Sequence, residues 1–174
     1  MRLENSFQVA APIDAAWRLL NDVPSVVPCM PGAELVEVAG DNAWKAKLHV
    51  KLGPIALRFL ADVTREQMDE VGGRVVLAAK AREAKGRGSA EATIESTLGA
   101  VEGGTRVDIV TELALRGAVA QYGRGVVADV ASRLTSQFAE CIAAKLGDAP
   151  VAEQKPIGGI RLVLGVLLRR ILRR

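Results

Sequence analysis

Side chains that could perform catalysis or hold a metal ion are few in this 174-residue sequence. Its single histidine, His49, lies on the lysine-rich side of an alternating segment, which excludes a histidine-based triad or a histidine metal cluster. Most acidic residues occupy the polar side of such segments, where neighbouring Lys and Arg residues can pair with them across strands. Gly86-Arg87-Gly88 is too short for a phosphate-binding loop and indicates a turn. These residue types favour a binding protein over an enzyme, and no metal site is predicted.

The two cysteines, Cys29 and Cys141, are too few and too far apart along the chain to indicate a disulfide framework or a metal site. We expect both to be reduced thiols buried in the core. Arg2 and Glu4 stand where the apolar part of a signal peptide would begin, so no export signal is predicted. Together these features predict a cytoplasmic protein.

The clearest chemical signal is a basic and apolar segment, residues 157–174, which we call the tail. It contains five arginines and no acidic residue, and removing these five charges from the chain's net +3 leaves −2 on residues 1–156. Arranged as a helix, it gathers aliphatic side chains on one side and four of its arginines on the other. Its longest uncharged run, Leu162 to Leu168, is far shorter than the roughly 20 apolar residues of a spanning helix.

We therefore predict that the tail is a helix lying in the interface of an anionic membrane, at the inner face of the cytoplasmic membrane. The residues predicted to bind the membrane are Ile160, Leu164, Leu167, Leu168, Arg169, Arg170, Ile171, Leu172, Arg173 and Arg174. Two alternatives remain open. The tail could be a terminal helix docked on the protein or on a partner subunit. It could also be a basic arm for nucleic acid, which fits poorly because such arms are polar, so no nucleic-acid partner is predicted.

The rest of the chain predicts a sheet followed by one long helix. Residues 3–9 and five further segments between residues 44 and 115 alternate apolar and polar side chains, with turn residues between them. A short helix is predicted from Ile13 to Leu20, and a long one from Ala118 to Leu146 that ends at Gly147. Such strands form an antiparallel sheet with one polar and one apolar face, and the long helix must cover the apolar face.

This pattern predicts one folded domain, residues 1–147, followed by a linker, residues 148–156, and the tail. Small residues on two neighbouring strands, Ala79, Ala81, Ala90 and Ala92, lie under the predicted long helix. They leave two alternatives: either the helix packs closely on a solid core, or a cavity remains for an apolar ligand. Tyr122 and Ser96 are polar groups that could face such a ligand or could be ordinary surface or core residues.

An ordered set of short motifs narrows the fold. The set comprises Phe7-x-Val9-x-Ala11-Pro12, Trp17-x-x-Leu20-x-Asp22, Pro31-Gly32, Gly53-Pro54-Ile55, Gly104-Thr105-Arg106, Gly117 and Phe138. Together they resemble the carbon monoxide dehydrogenase G-subunit family, within the START/polyketide-cyclase-like (SRPBCC) superfamily. The resemblance implies an α+β helix-grip fold, in which a seven-stranded antiparallel sheet wraps on a long C-terminal helix with an apolar cavity between them.

The resemblance also implies a function, which we state as an expectation. Members of this family are accessory proteins of molybdenum-containing carbon monoxide dehydrogenase or a related hydroxylase, which sends electrons towards the respiratory chain. An apolar cavity, a membrane-binding tail and a redox partner together suggest an isoprenoid quinone, menaquinone or ubiquinone, as the ligand, with no covalent cofactor. The alternative is a membrane-anchoring or assembly factor for the dehydrogenase with no small-molecule cargo.

The cavity is expected between the sheet and the long helix, with Tyr122 as the donor to a quinone carbonyl. The residues predicted to line it are Ile55, Leu57, Phe59, Leu77, Ala79, Ala92, Ile94, Ile109, Leu113, Tyr122, Val126, Val130 and Leu134.

Overall fold

A computed structural model describes residues 1–147, so the linker and the tail predicted from the sequence lie outside the described residues. The strands are β1 (Arg2–Val9), β2 (Ala33–Gly40), β3 (Ala43–Leu52), β4 (Ile55–Asp69), β5 (Arg74–Glu83), β6 (Gly88–Val101) and β7 (Gly104–Gly117). The α-helices are α1 (Ile13–Asn21), α2 (Val23–Val26) and α3 (Gly123–Leu146), and 3₁₀ turns span Val27–Cys29 and Ala118–Tyr122.

The seven strands form one antiparallel sheet in the order β1-β7-β6-β5-β4-β3-β2. Consecutive strands from β2 to β7 are neighbours, and β1 joins the far edge beside β7. The predicted helix-grip architecture, a seven-stranded antiparallel sheet with a long C-terminal helix, is confirmed. Within the described residues, no helix is long and apolar enough to cross a membrane.

Ion pairs between neighbouring strands cover the outer face of the sheet, as the alternating charges predict. Arg74 on β5 meets Glu95 on β6 at 2.7 Å, and Lys45 on β3 meets Glu37 on β2 at 2.9 Å. These side chains are well exposed, so each pair contributes little to stability. The charges keep this face in water and leave the opposite, apolar face to be covered by helices.

The long helix covers only one side of the apolar face. Helix α3 lies along the edge strand β1: the guanidinium of Arg124 donates to the carbonyl of Arg2 at 3.3 Å, and Phe138 meets Phe7 edge-on at 6.0 Å between ring centroids. Its last three turns bury Ala139, Ile142 and Ala143. Its first turns are exposed, and α3 begins at Gly123, one 3₁₀ turn later than predicted. The far end is as predicted, with Gly147 in the left-handed conformation at φ 84°.

The prediction that Cys29 and Cys141 are free thiols is wrong. The two residues form a disulfide, with their Cα atoms 5.3 Å apart. The sequence did not reveal the pairing because the two residues are 112 positions apart. The fold brings them together by placing the 3₁₀ turn after α2 against the last turns of α3. Cys29 is buried in the cluster that packs α1 and α3 on the sheet, as predicted, whereas Cys141 is only partly buried and packs against that cluster.

Gly104 and Thr105 fix the start of α1 on the sheet. A Cβ at Gly104 would collide with the carbonyl oxygen of Val9, so only glycine allows β1 and β7 to approach here. The fully buried hydroxyl of Thr105 donates to the carbonyl of Ala11 at 2.8 Å. This bond holds the Ala11-Pro12 turn, from which α1 begins, against β7.

Glu83 is a buried carboxylate that the sequence pattern did not reveal. It ends β5 and accepts hydrogen bonds from the backbone N–H groups of Lys85 at 2.8 Å, Arg87 at 3.1 Å and Arg58 at 3.4 Å. Burial alone would raise the pKa of this carboxyl, but the three N–H donors and the Arg87 guanidinium lower it below its ordinary value. The carboxylate therefore stabilises the β5–β6 turn as an anion.

The lowered pKa of Glu83 predicts how the free energy of unfolding depends on pH in acid. Because the pKa of Glu83 is lowered in the folded protein, its stabilisation is complete above the unfolded value of about 4.3 and is lost as pH falls through the folded value. Glu83→Gln should lower the free energy of unfolding near neutral pH, and the difference from wild type should shrink below about pH 4. Denaturant melts across this pH range measure it, with the exposed Glu66→Gln as control. A pH-independent difference would contradict the role of the anion.

Candidate functional site

An apolar cavity of about 360 Å³ lies between the sheet and the helices and opens to solvent. The sheet forms its floor, α3 forms one wall, and α1, α2 and the following 3₁₀ turn form the opposite wall. The lining side chains are almost all aliphatic or aromatic; they include Phe7, Leu20, Val23, Val26, Val27, Met30, Leu35, Trp44, Ala46, Val63, Val75, Leu98, Val107, Ala131 and Phe138. The structure thus contains an apolar cavity, but the small residues Ala79, Ala81, Ala90 and Ala92 do not line it.

The cavity volume limits what the domain can enclose. A protein cavity of about 150 Å³ accepts one benzene ring. The present cavity is more than twice as large, so it has room for a two-ring head group and the first part of a chain. A long isoprenoid chain would have to leave through the opening.

Four of the predicted lining residues lie in the cavity wall: Leu77, Ile94, Ile109 and Leu134. Ser96, one of the two polar groups considered from the sequence, also lines it. Leu77 on β5 pairs with Ile94 on β6, and Ile94 pairs with Thr111 on β7, so one row of the sheet crosses the cavity floor. Arg65 on β4 extends the same row, because it pairs with Leu77.

Four other predicted residues do not line the cavity but belong to a second apolar cluster: Ile55, Leu57, Phe59 and Tyr122. These residues pack around Val119 instead, and Leu57 is almost fully buried. The sequence prediction was wrong here because it continued α3 back to Ala118. The chain instead makes a 3₁₀ turn from Ala118 to Tyr122, and the side chains of this turn pack against one end of the sheet. Tyr122 therefore lies in the second cluster rather than in the cavity wall.

The row Ala79, Ala92 and Leu113 separates the two regions, and these three residues do not line the cavity either. The next row on one side contains Leu77 and Ile94 in the cavity, and the next row on the other side contains Ala81 and Ala90 in the second cluster. Val126 and Val130 on α3 are also absent from the lining, and Val126 is 43% exposed. The early turns of α3 stand along the edge of the sheet rather than over its centre.

Several lining residues were missed, and one of them left a signal in the sequence. The residues of α1 and α2 could not be placed, because nothing in their pattern tells which part of the sheet they cover. Arg65 is different. The apolar side of β4 contains Phe59, Ala61 and Val63, and Arg65 follows in the same phase. A charged residue at an inward position of a strand indicates a polar site inside the fold.

Arg65 is held at the cavity wall by three side-chain contacts, one of which is a hydrogen bond from its Nη1 atom to Sδ of Met68 at 3.5 Å. Its Nη2 atom donates to the backbone carbonyl of Asn21 at 2.6 Å, and its guanidinium carbon lies 5.2 Å from the centroid of the Trp44 ring. Such a cation–π contact stabilises a partly desolvated arginine. Two further polar atoms at this place, Nε of Arg65 and Oδ1 of Asn21, are buried without a hydrogen-bond partner among residues 1–147.

Three small polar side chains line another part of the floor. Asn5 on β1 and Ser96 on β6 both pair with Ile109 on β7, and Thr111 follows two residues later on β7. The polar residues of the lining are thus Arg65 and Asn21 near α1, this group on the sheet, and Thr135 on α3, whose hydroxyl donates to the carbonyl of Ala131 at 2.9 Å. The remaining lining residues are aliphatic or aromatic. Within the described residues, no cluster of side chains could hold a metal ion.

A pair of alanines on α3 tests whether the cavity is open space. Ala131 lines the cavity, whereas Ala143 is fully buried in the solid core of the same helix. Ala131→Phe should be accommodated at little cost in the free energy of unfolding, because its ring enters empty volume. Ala143→Phe should overpack its site and cost roughly 1–3 kcal/mol or more. Denaturant unfolding of both variants measures the difference, and equal losses would show that the cavity does not persist in solution.

Comparisons with known proteins agree with this architecture. The family model described as CoxG, the carbon monoxide dehydrogenase G subunit, matches residues 6–147. A conserved protein from Geobacillus kaustophilus has a similar structure, with a TM-score of 0.76 and 19% identity over 87% of this chain and 98% of the other. No curated protein matches the chain.

Two further solved structures share the fold at lower similarity. The ZhuI aromatase/cyclase from Streptomyces sp. R1128 has a TM-score of 0.60 and 15% identity, covering 84% of this chain and 93% of its own. Ara h 8.0201 has a TM-score of 0.54 and 15% identity, covering 84% of this chain and 97% of its own. At these identities the likeness shows the fold alone.

Proposed function

The chain belongs to the CoxG family of carbon monoxide dehydrogenase proteins, and on this basis we propose that it is a non-catalytic carrier or docking subunit that binds an isoprenoid quinone. The family and the fold indicate a carrier of an apolar ligand. The proposed quinone is menaquinone or ubiquinone, which it would lift from the cytoplasmic membrane and present to a molybdenum-containing carbon monoxide dehydrogenase or a related hydroxylase. The protein would act at the inner face of that membrane.

The apolar cavity is the observation that carries this proposal. Isoprenoid chains have no hydrogen-bonding groups, so the aliphatic walls suit them, and any selectivity must come from polar groups that meet the head group. The lining contains six polar residues: Asn5, Asn21, Arg65, Ser96, Thr111 and Thr135. The cavity has room for a quinone ring and the beginning of its chain. This size fits a ligand whose head group enters the protein first when it leaves the bilayer.

Membrane contact is proposed for the tail on its sequence alone. Its aliphatic side chains contribute to binding by partial burial, at ~1.5–3 kcal/mol for each one fully buried. Each arginine near an anionic surface adds roughly 1 kcal/mol. The tail would keep the carrier at the bilayer surface, where its cargo is found.

The second candidate is an anchoring or assembly factor that recruits the dehydrogenase and has no cargo. The tail favours it as much as it favours the carrier, because membrane attachment does not require a cavity. The two candidates differ in one respect, which is the presence of a ligand between the sheet and the helices.

Extraction and transfer experiments separate the two candidates. Purified protein from a quinone-containing host should release quinone into organic solvent, detected by mass spectrometry, and should take up quinone from vesicles. Ala131→Phe should reduce both signals severalfold, because the new ring occupies the ligand's volume. Ala16→Phe, in the solid core, serves as a control for general destabilisation. Absence of quinone from folded wild-type protein in both experiments would leave the anchoring function.

Charge removal in the tail tests the membrane contact. Replacing Arg169, Arg170, Arg173 and Arg174 by Gln should weaken binding to anionic vesicles and remove most of its salt dependence. Replacing the same four residues by Lys should preserve both, since the charge is kept. Liposome flotation at low and high salt measures the effect. Unchanged flotation of the Gln variant would rule out the electrostatic contribution.

A further inference from the structure

Three uncharged polar side chains on the cavity floor have no hydrogen-bond partner among residues 1–147. They are Asn5 on β1, Ser96 on β6 and Thr111 on β7, and all three line the cavity. Each residue is only partly buried, and its polar atoms, unlike Nε of Arg65 and Oδ1 of Asn21, are not enclosed by protein. Inward positions of an antiparallel sheet are normally apolar, so three accessible polar side chains there indicate a ligand with polar groups.

The register of the sheet places these three side chains around Ile109. Asn5 and Ser96 are the two cross-strand partners of Ile109, and the β-carbons of such partners are about 4.5–5.5 Å apart. Thr111 follows Ile109 by two residues on the same face of β7, roughly 7 Å along the strand. Ile109 itself lines the cavity. A flat ring that lies on Ile109 can therefore meet a polar side chain on three of its sides.

The free donors in this part of the cavity belong to the sheet. Ala131 and Thr135 of α3 line the same cavity, but the hydroxyl of Thr135 already donates to the carbonyl of Ala131 at 2.9 Å. It has no second proton to offer a ligand. The amide of Asn5 and the hydroxyls of Ser96 and Thr111 have no such commitment, so each can donate a hydrogen bond to a bound molecule.

Because these donors are uncharged, they favour an uncharged head group. The only charged residue of the lining is Arg65, which lies on β4, three strands away from Ile109, and contacts Asn21 and Trp44. A carboxylate or phosphate among neutral groups in an apolar cavity would lose its hydration without gaining a counter-ion. A quinone ring instead has two uncharged carbonyl oxygens, which accept hydrogen bonds from amide N–H and hydroxyl groups.

We propose that Asn5, Ser96 and Thr111 form the head-group site of the cavity, which binds an uncharged ring with two carbonyl oxygens on Ile109. This inference rests on the proposed quinone-binding function and names the residues that give it specificity. Asn5 and Ser96 lie on opposite sides of Ile109, so each donates to one of the two oxygens, and Thr111 supplies a third donor. The site selects a quinone against the fatty acids and phospholipids of the same membrane.

Apolar replacements of similar or smaller size test the site: Asn5→Leu, Ser96→Ala and Thr111→Val. Each should weaken binding of a short-chain naphthoquinone roughly fivefold, the effect of one hydrogen bond. The free energy of unfolding of the ligand-free protein should stay the same or rise, because an apolar group replaces a polar one without a partner. Quenching of tryptophan fluorescence measures binding, since Trp44 lines the cavity, and denaturant melts measure stability.

Controls separate the site from general effects. Thr93→Val matches Thr111→Val, because Thr93 is an exposed threonine on the outer face of β6, and it should leave the affinity unchanged. Two further ligands need no variant. Methylnaphthalene has the ring without the oxygens, and decanoic acid has a charged head group. Wild type should bind both severalfold more weakly than the naphthoquinone, and the triple variant should bind the naphthoquinone no better than methylnaphthalene.

Unchanged naphthoquinone affinity in the three folded single variants would overturn the head-group site while leaving the carrier intact. Equal affinity of wild type for methylnaphthalene, or tighter binding of decanoic acid, would overturn it as well. Weaker binding that is matched by a lower free energy of unfolding would assign these residues a structural role instead. Circular dichroism establishes that each variant is folded. Failure of wild type to bind any naphthoquinone would remove the proposed function, and the site with it.

Discussion

The apolar face of this sheet is wider than one helix can cover, and the cavity follows from that constraint. Seven strands at a spacing of ~4.8 Å give a sheet roughly 29 Å wide, whereas a helix with its side chains is only about 10–12 Å across. Helix α3 lies along β1 at one edge, and α1, α2 and the next turn cover another part. The uncovered part of the apolar face between them forms the floor of the cavity.

Two connections tie these covers to each other and to the sheet. The disulfide between Cys29 and Cys141 joins the turn after α2 to the last turns of α3. The bond from Thr105 to the Ala11 carbonyl fixes the start of α1 on β7, where Gly104 allows the close approach of β1. Both connections lie at the end of the fold where the core is solid. They fix the position of both walls at this end of the fold.

The architecture could be predicted from the sequence because six of the seven strands alternate apolar and polar residues, and the ordered motifs identified the fold. The remaining strand, β2, was implied only by the resemblance. The site could be predicted only in part. Leu77 and Ile94 were placed correctly because any cover over the centre of the sheet leaves them inside. Tyr122 was misplaced because the start of α3 depends on the Ala118–Tyr122 turn, whose packing on Leu57 and Phe59 involves contacts distant in sequence. The disulfide was missed for the same reason.

The volume of the cavity also determines how a cargo could be released. Moving each methylene group of an isoprenoid chain from the bilayer into water costs about 0.8 kcal/mol of free energy. A chain left exposed to water would therefore return the ligand to the membrane. A cavity of about 360 Å³ encloses the head group and little more. Under the proposed function, the polar side chains of the lining must therefore supply the selectivity, while another apolar surface covers the chain during transfer. A partner enzyme that offers a deeper apolar channel would then remove the cargo without any change in the fold of the carrier.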